Sequence, residues 1–169
     1  MQSISSSSSS RHHFYIQSRS YRAPEIILGA DFDERIDIWS LGCIAAELYS
    51  HSLLFDNSSV GALLTSISAL IGEPPSFLVQ QSGLRVTEAR NGMISTHLKQ
   101  GDRWILNPRR KELRDEIGCE ECEEFLDFVS LLLQWDSAQR PTAAQALQHP
   151  FIKNYAKEEL VMNDDNIIW

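Results

Sequence analysis

The chain has 169 residues, with 15 Lys+Arg against 23 Asp+Glu for a formal net charge of -8, and 43% of its residues are hydrophobic. That length and apolar content suit one packed domain and exclude disorder throughout, while the acidic balance argues against nucleic-acid or anionic-membrane partners, which demand a cationic surface. No run approaches the roughly 18 apolar residues of a membrane span, Met1 to Ser10 lacks the apolar stretch of a secretory signal, and three cysteines make no disulfide framework, so an intracellular protein is expected.

Residues 1–13 read as a disordered lead-in, because the unbroken run Ser5 to Ser10 cannot repay the entropy of ordering. The stretch Glu34 to Tyr49 is the most helical in the chain: Ile38, Leu41, Ala45 and Leu48 follow a helical spacing. Ile36, Trp39, Ile44 and Ala46 fill its other faces, and a helix apolar nearly all round belongs at the centre of a body. A second helix is predicted from Ser59 to Ile71 on the stripe Leu63, Leu64, Ile67, Leu70 and Ile71, capped by Gly72 and stopped by Pro74-Pro75. Residues 76–118, punctuated by Gly83, Gly92, Gly101 and Pro108, read as mostly loop with short helices; no strand is predicted. A third helix is predicted over Glu121 to Trp135, carrying Phe125, Phe128, Val129, Leu132 and Leu133. A fourth starts at Thr142, where Thr-Ala-Ala-Gln has the form of a capping box, and runs to about His149, where Pro150 ends it. Residues 154–169 form an acidic, frayed tail. The fold class is mainly α.

Two segments carry a resemblance. One is Tyr15-Ile16-Gln17-Ser18-Arg19-Ser20-Tyr21-Arg22-Ala23-Pro24-Glu25 with Asp37-Ile38-Trp39-Ser40-Leu41-Gly42-Cys43; the other is Arg140-Pro141-Thr142 with Ala146-Leu147-Gln148-His149-Pro150-Phe151. In order and spacing they resemble the C-terminal, helical lobe of a eukaryotic protein kinase, from the end of the activation segment onward. The YIQSR-x-YRAPE form is similar to the dual-specificity tyrosine-regulated (DYRK) kinases, and the region of Leu54 to Gly72 to their plant-type branch. The resemblance covers a partial kinase domain over residues 14–153, with the N-lobe and catalytic loop absent.

That resemblance implies roles. Tyr15 stands at the activation-loop tyrosine, and Arg19 and Arg22 at the arginines that receive its phosphate, since guanidinium forks bind such oxygens bidentately. Ser18 stands at the substrate-loop hydroxyl. Ser20 departs from the large apolar residue usual in the family. Glu25 and Arg140 stand at a structural ion pair, and Asp37 at the helix-start aspartate that anchors the catalytic loop.

Phosphoryl transfer in this family also needs a glycine loop, a lysine, Mg²⁺ ligands and a catalytic aspartate. The 169 residues contain no G-x-G-x-x-G, no V-A-I-K-like lysine, no H-R-D and no D-F-G, and the family places all four motifs before A-P-E, whereas 22 residues precede Ala23 here. No catalytic residue, cofactor site or metal site is therefore expected in this chain; ATP and Mg belong to an intact parent kinase. Taken alone the chain is expected to be inactive and marginally folded, with Ile38, Leu41 and Ala45 left open. It reads as part of a longer serine/threonine (dual-specificity) kinase or as a remnant of one. Its implied partner is a protein substrate or docking protein, and the rival reading is a non-catalytic, pseudokinase-like interaction module. Cys119-Glu120-Glu121-Cys122 is a C-x-x-C, but one pair supplies only two of the four ligands of structural zinc, and the intervening glutamates disfavour redox work. It reads as a solvent-facing helix start. The run Arg109-Arg110-Lys111 reads as solvated surface.

Overall fold

The computed structural model describes residues 16–55, 58–81, 85–90, 93–97, 103–106 and 108–154. The expected lead-in, Tyr15 and the tail beyond residue 154 lie outside them. Among the described residues the helices and strands follow in the order α1 (Pro24–Leu28), α2 (Arg35–Ser50), α3 (Val60–Ile71), α4 (Ser76–Gln81), β1 (Arg85–Arg90), β2 (Met93–His97), β3 (Arg103–Leu106), α5 (Leu113–Ile117), α6 (Glu123–Leu132) and α7 (Ala143–Ala146). The protein is mainly helical, as in the C-terminal lobe of the kinase fold.

The centre is α2, within a residue of its predicted bounds at each end. Ile36, Ile38, Trp39, Gly42, Cys43 and Ala46 are buried on it. Trp39 stacks on Phe55 with ring centroids 5.7 Å apart. Gly42 allows a close approach to α6: a Cβ there would sit 2.9 Å from Leu133 Cδ2 and 3.0 Å from Leu132 Cβ. Packed interiors leave no slack for such an intrusion. Helix α3 starts where the Ser59 hydroxyl accepts the Ala62 N–H at 3.0 Å and ends at Gly72, which takes a φ of 90°. Its stripe Leu63, Leu64, Ile67 and Leu70 is buried in the main core.

The segment read as loop instead contains an antiparallel sheet of order β1-β2-β3. Val86 pairs with Thr96, and Ser95 pairs with Ile105. The physical reason lies in β-branched and aromatic residues (Val86, Thr87, Ile94, Thr96, Trp104, Ile105) that favour a pleated surface despite their polar neighbours. A signal was present in Asn91-Gly92, the dipeptide between β1 and β2 in sequence, which favours a two-residue hairpin turn. The backbone of β3 lies beside α3 and that of β1 beside α4.

Helix α6 is shorter than its prediction, and α7 shorter still. The Thr142 capping box with Gln145 is formed, but the helix stops at Ala146 and a new helical segment begins at 150. His149 explains the break. The Phe151 N–H donates to His149 Nδ1 at 3.3 Å, so the imidazole caps the next helix. Its Nε2–H is thereby left to donate to Asp127 Oδ2 at 3.1 Å. Pro150 thus opens a helix instead of closing one. No helix among the described residues is long and apolar enough to cross a membrane.

Candidate activation and substrate-docking segment

Residues 16–23 form a strap laid across the N-terminal half of α2. Its shape is set by Gln17, a non-glycine residue at φ 62°, in the left-handed region that costs roughly 1–2 kcal/mol. Three hydrogen bonds of the Gln17 side-chain amide offset that strain. Oε1 accepts the Ala23 N–H at 2.9 Å, while Nε2 donates to the Ile36 carbonyl at 2.9 Å and to Ser40 Oγ at 2.8 Å. The Ser40 hydroxyl in turn donates to the Tyr21 carbonyl at 2.8 Å. At the far end the Tyr21 hydroxyl donates to Glu47 at 3.0 Å, whose other oxygen accepts the Leu54 N–H at 3.1 Å. That hydrogen bond, and the carboxylate charge behind it, push the Tyr21 pKa up.

On this strap Ser18 is exposed, and its carbonyl accepts the Tyr21 N–H at 3.0 Å to close one 3-10 turn, Arg19–Tyr21. The Arg22 guanidinium folds back: Nε donates to the Ile16 carbonyl at 3.1 Å and Nη2 to the Gln17 carbonyl at 3.0 Å. Burial, and then the neighbouring Arg19 charge, hold the Arg22 pKa below its usual value. The Arg22 guanidinium is thus held against the backbone that directly follows position 15. Tyr15 itself lies outside the described residues.

Glu25 and Arg140, 115 residues apart, meet in a bidentate pair with both N–O distances at 2.7 Å. Their side chains are 2% and 0% exposed. The guanidinium lies over the Trp39 ring, 5.2 Å from its centroid. Asp37, by contrast, is exposed in the first turn of α2, and among the described residues its carboxylate has no partner.

The outer face of α2 differs from the sequence expectation. Ile38 is buried against Phe128, Leu132 and Ala146, and Ala45 is half-buried. The open stripe is Leu41 at 43%, Ile44 at 40% and Leu48 at 73% exposed. Ile38 was misplaced because the side chains that cover it come from about a hundred residues later. Beside the stripe, Leu48, Tyr49, Phe125 and Phe151 help line an open groove of about 850 Å³, rimmed by Glu120, Glu121, Glu123 and Glu124. The sequence reading assigned no role to Gln17, Ser40 or Glu47. Only the positive φ forced on Gln17 marks the first, and sequence does not display it.

The protein kinase domain family matches residues 2–152, and the chain belongs to that family. Within it the chain groups with the dual-specificity tyrosine-regulated kinases. It is 38% identical over 162 residues to the rat dual specificity tyrosine-phosphorylation-regulated kinase 3, an overlap of 86% of this chain and 28% of the relative. It is 36% identical over 146 residues to dual specificity tyrosine-phosphorylation-regulated kinase 2 of Drosophila melanogaster, 82% of this chain and 19% of the relative. Serine/threonine-protein kinase ppk5 of Schizosaccharomyces pombe is 37% identical over 138 residues, 82% of this chain and 16% of the relative. The chain spans less than a third of the length of each.

Proposed function

We propose that this chain is the activation and substrate-docking part of a DYRK-like serine/threonine (dual-specificity) kinase, in which a phosphate on Tyr15 is received by Arg19 and Arg22. The observation that carries this reading is the Arg22 guanidinium, folded onto the carbonyls of Ile16 and Gln17 with a second arginine beside it. In the same reading Ser18 faces the substrate, Asp37 anchors a catalytic loop, and Glu25 with Arg140 holds the frame. A semisynthetic chain bearing phosphotyrosine at position 15 tests it. The phosphate's second ionisation, followed by ³¹P NMR, is expected at lower pH than in a phosphotyrosine peptide, and Arg22→Gln is expected to move it back. An identical titration in all three would refute the role.

In this reading ATP and Mg²⁺ belong to an intact parent kinase, since the sequence of this chain has no glycine loop. The 169-residue chain with Mg·ATP and a protein substrate is expected to transfer no phosphate above a no-enzyme control, and measurable transfer would overturn this. The open Leu41–Ile44–Leu48 stripe favours a second reading, a protein-interaction module, since exposed apolar patches mark partner sites. A stoichiometric complex that Leu48→Asp abolishes would support it.

A further inference from the structure

We propose that Cys119 and Cys122 are a dithiol–disulfide couple that exchanges with small thiols and disulfides of the glutathione class, entered at Cys122 and closed by Cys119. Their Cα atoms lie 6.0 Å apart, within the span that a disulfide bridges without backbone movement. The two ends differ in access. Cys119 is 2% exposed and belongs to the main core. Cys122 is half-buried and lines the open groove. An incoming thiolate or disulfide therefore meets Cys122 first.

The backbone that carries the pair is pinned independently of the sulfur–sulfur bond. The Cys119 N–H donates to the Arg114 carbonyl at 3.1 Å. Arg114 Nη1 donates to the Cys119 carbonyl at 3.1 Å and to that of Glu120, while Nη2 pairs with the Glu123 carboxylate. This clamp keeps the two residues at bridging distance when reduced, so ring closure needs little reorganisation. It also sets a positive charge among the glutamates that weighed against redox chemistry in the sequence.

In the oxidising direction the Cys122 thiolate attacks one sulfur of glutathione disulfide. A mixed disulfide forms and one glutathione thiolate leaves. The Cys119 thiolate then attacks Cys122 Sγ, the ring closes and the second glutathione thiolate leaves. The two protons given up by the cysteines pass to the two departing thiolates. One disulfide is consumed and one is made, so no other oxidant is required.

The test equilibrates the full chain in buffers of varied glutathione to glutathione disulfide ratio, then quenches, denatures, alkylates and weighs it. As the buffer becomes oxidising, the alkylatable thiols are expected to fall from three to one, the survivor being Cys43. Cys119→Ser is expected to collect one glutathionyl group at Cys122, and Cys122→Ser to be modified at Cys119 at least roughly tenfold more slowly, as access dictates. Cys43 serves as the internal control. It is fully buried, burial pushes its thiol pKa well up, and its labelling in a native sample reports a lost fold. Equal reactivity of the two folded variants would overturn the proposal. If a variant unfolds, the wild-type series decides alone, and three reduced thiols at every ratio would overturn it.

Discussion

Replacing Glu25 by Gln keeps the side-chain volume and removes one charge from a fully buried pair. All five N–H donors of Arg140 are used in the native protein. Two meet the Glu25 oxygens at 2.7 Å, and the others meet the carbonyls of Gln134 at 2.8 Å, Arg35 at 3.1 Å and Trp135 at 3.4 Å. The substituted glutamine would offer one acceptor and turn an NH₂ group toward a guanidinium N–H. A cation 0% exposed would then stand in the core without its counter-charge, at a cost of about 3–5 kcal/mol. A domain's whole stability is roughly 5–15 kcal/mol, so a fifth or more is at stake. Urea unfolding followed by tryptophan fluorescence measures it, with Trp39 beneath the guanidinium as a reporter next to the change. Arg140→Met alone should cost a similar amount, because it strands Glu25. The combination Glu25→Gln with Arg140→Met should cost less than the two single changes summed, with a coupling of about 2–3 kcal/mol. A loss below about 1 kcal/mol for Glu25→Gln, the range of exposed pairs, would refute the reasoning by showing that water reaches the pair.

Gly42→Ala places a methyl 2.9 Å from Leu133 Cδ2 and is expected to cost about 1–3 kcal/mol as overpacking; an unchanged thermal midpoint would show that α2 and α6 separate freely. Gln17→Ala removes three hydrogen bonds from the strap and should raise amide exchange at residues 18–23; unchanged exchange there would show that the Gln17 amide does not hold the strap. Tyr21 has a folded pKa raised above its ordinary 10.0. Its bond to Glu47 therefore contributes stability that is full below about pH 10 and lost as pH rises through the folded value. Tyr21→Phe is expected to remove that alkaline slope from a denaturation series. An unchanged slope would exclude the Tyr21–Glu47 bond as its source.

What the sequence displayed was whatever depends on neighbours a turn away. The Thr142 capping box and the Gly72 stop follow from side chains within four residues, and each is formed. The sheet is not legible because its short strands mix Arg, Glu, Thr and Ser with the apolar residues, so no period of two stands out, although Asn91-Gly92 is a sequence signal for a hairpin. Ile38 and His149 show the other limit. The burial of one and the bond of the other to Asp127 are settled by residues distant in the chain. The meeting of Glu25 with Arg140 was read from family resemblance, since no local rule links positions 115 apart.

These differences separate two kinds of order in the molecule. The partners described for Gln17, Tyr21 and Arg22 are residues of this chain: Ser40, Glu47 and the carbonyls of residues 16 and 17. The frame beneath the strap is closed by Arg140 on Glu25. The strap therefore carries its own instructions. The outer face of α2 does not: Leu41, Ile44 and Leu48 keep a helical spacing yet stand 40–73% exposed. Fully burying an apolar side chain of that size stabilises by roughly 1.5–3 kcal/mol; the surface still open on the three amounts to about one and a half such side chains, so covering it is worth roughly 2–5 kcal/mol, a large part of the margin by which a small domain is stable. Conditions that cover that stripe should therefore raise the stability of the whole chain, while the strap, held by polar bonds within the chain, should keep its shape with or without them.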